Sequence, residues 1–74
     1  MNKYEYAIKP GGNVVFRAKS IKNGYTEKIF FKGLKGWKNN DDLELSALSS
    51  WIVPEQEALK AAINLGMTEE EFYK

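Results

Sequence analysis

The chain has 74 residues, no cysteine, no histidine and a net charge of +1. At that length residues 1–74 form one small domain, and so short a chain buries only about 60% of the surface its unfolded form exposes. Disulfides, thiolate metal sites, most zinc sites and the commonest nucleophile–base pairs are excluded. Stability has to come from apolar burial, for which ten aromatic residues are available.

Residues 3–9, Lys-Tyr-Glu-Tyr-Ala-Ile-Lys, alternate apolar and polar side chains and predict a first strand. Pro10-Gly11-Gly12-Asn13 is a turn. Residues 14–21 predict a second strand and 25–32 a third. Between them Asn23-Gly24 suits the two positive φ angles of a type I′ hairpin turn. A two-residue loop there pairs Lys22 with Tyr25, and hence Lys19 with Lys28 and Arg17 with Phe30. Side chains alternate between faces, so one face collects Val14, Phe16, Ala18, Ile29 and Phe31. The other collects Val15, Arg17, Lys19, Lys28, Phe30 and Lys32. The first is the expected core face; the second is basic with one aromatic in its middle. Tyr4, Tyr6 and Ile8 join the core face if the first loop holds three residues, and the basic face if it holds two.

Residues 33–42 read as a loop. Residues 43–50 fit a short helix, with Asp41 and Glu44 at capping-box spacing, or a fourth strand, with Leu43 to Ala47 alternating. Trp51-Ile52-Val53 is extended, because the residue before a proline avoids the helical region. Pro54 at the first helical position opens a helix over about 54–65, with Glu55 and Glu57 in the turn where the dipole favours negative charge. Ala58, Leu59, Ala62, Ile63 and Leu65 recur at helical spacing. Gly66 is placed to end it in the left-handed conformation. A short terminal helix follows over about 69–73, with Thr68 and Glu71 at capping-box spacing and Met67 and Phe72 placed to staple across it. The expected fold is α+β: a three-stranded antiparallel β-meander (about 3–9, 14–21, 25–32) with its apolar face covered by the helix at 54–65. Trp51 and Ile52 are expected in the seam between them.

Charge is unevenly spread. Met1 to Lys38 carries nine Lys/Arg and two Asp/Glu, a net of +7; Asn39 to Lys74 carries two Lys and eight Asp/Glu, a net of −6. Such asymmetry suggests an interaction surface. Ten lysines stand against one arginine, a usage that suits an AT-rich genome and argues against bidentate reading of phosphate or guanine.

No motif carries catalysis. Ser49-Ser50 has no evident base. Asp41-Asp42-Glu44 lacks the spacing and glycine of a calcium loop, and helix capping explains it better. The glycine-bearing turns at 9–13 and 32–38 match neither a P-loop nor a dinucleotide fingerprint. No enzyme activity, cofactor or metal is expected. The helix pair has the outline of a helix-turn-helix, but its second helix would present Glu69, Glu70 and Glu71 to phosphates, which excludes DNA reading through it.

Two functions fit. The favoured one is a small non-catalytic protein–protein interaction or regulatory module, of phage or prophage type by size and composition, with an unidentified protein partner. Asp41, Asp42, Glu44, Glu69, Glu70 and Glu71 would then meet something basic, and a homodimer joining the basic sheet to acidic helices is a variant of this reading. The alternative is nucleic-acid binding through the exposed sheet face. Arg17, Lys19, Lys28, Phe30 and Lys32 would form a basic strip with a stacking ring, extended by Lys35, Trp37 and Lys38. The expected location is cytoplasmic: there is no apolar run long enough for the membrane and no signal-peptide core.

Overall fold

The computed structural model describes residues 4–19, 28–39 and 48–74. Among these lie β1 (Glu5–Ile8), β2 (Val14–Ala18), β3 (Lys28–Phe31), β4 (Lys38–Asn39) and β5 (Ile52–Val53). A 3-10 turn at Ser49–Trp51 precedes β5, and the helices α1 (Glu55–Leu65) and α2 (Glu69–Phe72) follow it. The strands form one antiparallel sheet in the order β4-β3-β2-β1-β5. The α+β class and the three-stranded meander are as expected. Two further strands of two residues each flank it: β4 arises in the expected loop and β5 from the extended stretch before Pro54. The Asn23-Gly24 turn, residues 25–27 and the helix-or-strand question over 43–47 lie outside the described residues. Leu48 and the turn after it are helical.

The register departs from the expected one by two residues. Arg17 pairs with Lys28, Phe16 with Ile29 and Val15 with Phe30. An even shift leaves every side chain on its expected face. What is reversed is the face that α1 covers. Tyr6, Val15 and Phe30 cluster with Ala58 and Ala62 of α1 and with Met67 and Phe72, so the helices close over the face expected to be basic and solvated. Phe16, Ala18 and Ala7 on the other face cluster with Leu48, and Trp51, Ile52, Val14 and Ile29 pack around them. Trp51 and Ile52 therefore lie across the sheet from α1, not in a seam beside it. Both faces carry large apolar side chains; on the second, Leu48 packs against the sheet, while Phe31, expected in the core, is 38% exposed.

The first turn explains how Tyr6 reaches the helix side. Lys9 donates to the Val14 carbonyl at 2.9 Å and Gly12 to the Lys9 carbonyl at 2.9 Å, closing a loop whose ends set Ile8 opposite Val15. That loop holds four residues, Pro10 to Asn13. It has the parity of the two-residue alternative, so Tyr6 pairs with Arg17 on the helix-covered face.

The helix signals act as the sequence implies, with two small departures. Pro54 is extended (ψ 156°) and caps α1 from one position before it. Ile63, expected in the buried stripe, is 47% exposed, and the burial centres on Ala58 and Ala62. Gly66 ends α1 with φ 115°. Its N–H bonds the Ile63 carbonyl at 3.0 Å and that of Met67 bonds Ala62 at 2.9 Å, the paired bonds of a Schellman motif. Thr68 then caps α2, its hydroxyl accepting from the Glu71 N–H at 3.1 Å. Met67 and Phe72 are both buried in the helix-side cluster.

Two measurements check these ends. An alanine Cβ at Gly66 would meet nothing, but φ 115° is costly for any L side chain. Gly66→Ala should therefore cost about 1–2 kcal/mol in urea unfolding. The Tyr73 phenol is held above its ordinary 10.0, chiefly because its hydroxyl donates to the Glu55 carboxylate, with burial adding to the effect. The protonated phenol is thus favoured in the folded state. The stability this contributes is present below the ordinary value and lost as pH rises through the raised one. In tyrosinate absorbance, Glu55→Gln should lower the pKa of Tyr73, identified as the component missing in Tyr73→Phe.

Candidate functional site

Arg17 stands in the middle of β2 with 4% of its surface exposed, the one charged residue in the core of the described residues. Three contacts hold it there. Its Nη1 donates to the Phe72 carbonyl at 3.1 Å. Its guanidinium lies over the Tyr4 ring at 4.3 Å and over the Trp37 ring at 4.8 Å. Cations attract aromatic faces, most strongly when both are shielded from water. The Phe72 carbonyl belongs to the last turn of α2, where carbonyls lack intrahelical partners and carry partial negative charge. Trp37 Nε1 donates to the same oxygen at 3.0 Å. Around this knot the Tyr6 and Phe72 rings stack at 5.0 Å, and Trp37 meets Phe72 at 5.7 Å and Phe30 edge-on at 6.3 Å.

The arrangement leaves Arg17 electrostatically unfinished. Its Nε is buried and has no hydrogen-bond partner. Burying a charge without full hydrogen bonding is costly, and arginine cannot escape by deprotonating. Lys28, directly opposite on β3, adds a second positive charge on the same face; like charges so placed repel. Lys28 Nζ donates to Asn39 Oδ1 at 2.6 Å, which disperses its charge without neutralising it.

Arg17 and Lys28 line a cleft of about 510 Å³. Lys35 and Lys74 stand on its sides, Tyr4 and Trp37 are its aromatic walls, and Gly36 contributes backbone. Glu71 is its one acid, with Oε2 3.9 Å from where a Cβ on Gly36 would stand. Four cationic side chains against one carboxylate side chain give the lining side chains a sum of +3.

Of the residues expected to bind nucleic acid, the cleft gathers Arg17, Lys28, Lys35 and Trp37. Phe30 is wholly buried and offers no ring for stacking, because α1 and α2 cover the face it occupies. Lys19, Lys32 and Lys38 are exposed and lie outside the cleft. The continuous basic strip on a free sheet face is therefore replaced by a concavity at the edge of the helix-covered side. Of the acidic group, Asp41, Asp42 and Glu44 lie outside the described residues. Glu69 and Glu70 are exposed on α2, and Glu71 turns into the cleft.

Sequence reasoning missed Tyr4, Gly36 and Lys74, and it misjudged Arg17 and Glu71. Arg17 meets Phe72 across 55 residues and Trp37 meets it across 35. No local spacing signals such contacts. The one available hint was the single arginine in a lysine-rich chain, since guanidinium tolerates burial between aromatic faces better than ammonium does.

Among the described residues no group of acids could hold a metal ion, and no helix is long and apolar enough to cross a membrane. The chain matches no protein-family model, no curated protein and no solved structure.

Trp37→Phe keeps a ring against Phe30 and Phe72 but removes the indole donor. It should cost about 1 kcal/mol in denaturant unfolding. An unchanged midpoint would mean that the bond to Phe72 contributes nothing.

Proposed function

We propose that the protein is a small non-catalytic interaction module that binds a protein partner by receiving one of the partner's anionic groups in the Arg17 cleft. The observation that carries this reading is a buried guanidinium, short of one acceptor, lining a concavity whose side chains sum to +3. An anion seated there gains from every cation around it. The aromatic walls and the buried floor keep the local dielectric below that of water, so the attraction exceeds that of an exposed ion pair. A chain without histidine or cysteine has little with which to catalyse a reaction on what it binds.

A protein partner is favoured over nucleic acid by the surroundings of the cleft. Glu71 is in its wall, and Glu69 and Glu70 stand on the same helical turn. A polyanion would meet all three. A protein segment can place one acid in the cleft and basic residues beside α2, which gives the acidic turn the complementary part of the contact.

Arg17 is the only arginine, so its Nε–H gives a unique signal in a proton–nitrogen correlation spectrum. Titrating a glutamate-containing peptide at low salt should shift that signal and the Trp37 indole N–H together, and a neutral peptide should shift neither. Replacing Lys35 and Lys74 by alanine should weaken binding without moving the unfolding midpoint, since both are exposed. If neither signal moves with any anionic probe, the reading fails. If they shift with protein concentration alone, the anion comes from a second copy.

A further inference from the structure

Resting on that reading, we propose that the group the cleft takes is a phosphate monoester, carried by a phosphorylated side chain of the protein partner and flanked there by basic residues. Charge makes the first argument. Arg17, Lys28, Lys35 and Lys74 face Glu71 across one concavity. A carboxylate would leave most of their excess uncompensated, whereas a phosphate monoester brings a charge of about −1.5 to −2 at neutral pH and three acceptor oxygens.

Geometry makes the second. The guanidinium lies over the Tyr4 and Trp37 rings and gives Nη1 to the Phe72 carbonyl, so its position in the lining is held. Its Nε is buried and has no acceptor, so the charge beneath the cleft is left without full hydrogen bonding. A guanidinium held among lysines suits charge-assisted contact with phosphate. The rim lysines act as point charges that adapt to the remaining oxygens. Gly36 keeps the neighbouring wall free of a side chain.

The acidic turn beside the cleft sets the source. The acids on the turn at Glu69–Phe72 oppose a chain of successive phosphates but suit a single dianion with cationic neighbours. A phosphorylated residue among lysines or arginines has that charge pattern.

The test uses the full chain, nitrogen-15 labelled, and three matched peptides in which the central residue among lysines is phosphoserine, glutamate or serine. The phosphoserine peptide should shift the Arg17 Nε–H signal and bind at least about tenfold more tightly than the glutamate peptide. Its affinity should rise between about pH 5.5 and 7 as the phosphate loses its second proton. The cleft's own groups (Arg17, Lys28, Lys35, Lys74, Glu71 and Tyr4) have no histidine among them to titrate in that window. The Lys35→Ala/Lys74→Ala double variant should lose most of the preference for phosphoserine and melt as the parent does.

Equal binding of the phosphoserine and glutamate peptides would overturn the phosphate assignment and leave the interaction module standing. Absence of any Arg17 shift would overturn both. Tighter binding of a 5′-phosphorylated oligothymidylate than of the phosphoserine peptide would overturn the protein source.

Discussion

The structure depends on one carbonyl. Phe72 O accepts from Arg17 on β2 and from Trp37 in the segment before β4, so both its lone pairs are used by side chains from distant parts of the chain. A helix as short as α2 has no stability of its own. It persists because Thr68 fixes its start, Phe72 fills the helix-side core, and these two donors satisfy its end. The carbonyl orients Arg17 but carries only a partial charge, so it cannot neutralise the guanidinium. Lysine at the same place could discharge by losing its proton; arginine keeps its charge at any ordinary pH. The positive potential of the cleft is thus a permanent by-product of how the last turn is tied down.

Much of this architecture was legible from local chemistry. Gly66 announced the end of α1, Thr68 the start of α2, and the alternation over 14–18 and 28–31 sorted the side chains into the two sets that the sheet displays. A register error of two residues did no damage, because strand geometry repeats with that period. The assignment of faces failed for a specific reason. Arg17 was taken as the mark of a solvated surface, yet it is buried with its head over the Tyr4 and Trp37 rings, as long amphipathic side chains allow. The sets of Val15, Phe30 and Tyr6 and of Phe16, Ala18 and Ile29 are comparably apolar. Their difference became decisive only once Phe72 and Trp37 were in place, and nothing near Arg17 in sequence specifies either.

The charge asymmetry between the two halves of the chain takes a definite form here. The basic half supplies Arg17, Lys28 and Lys35 to the cleft; the acidic half supplies Glu71, together with one of its two lysines, Lys74. The halves meet at this point and do not cancel. Next to the cationic hollow stands the acidic turn with Glu69 and Glu70. The surface therefore has an electrostatic direction, from the cationic hollow to the acidic turn.

The sheet's borders narrow the ways in which another chain could join it. Among the described residues each outer strand has only two residues: β4, with the exposed Lys38, and β5, paired with β1. Among the described residues such short borders offer few free backbone groups to an incoming strand. Recruitment by strand addition, which reads backbone more than side chains, has little to grip, and so do the edge-to-edge contacts that begin fibrils. On the proposed reading, selectivity rests instead in a hollow made of side chains.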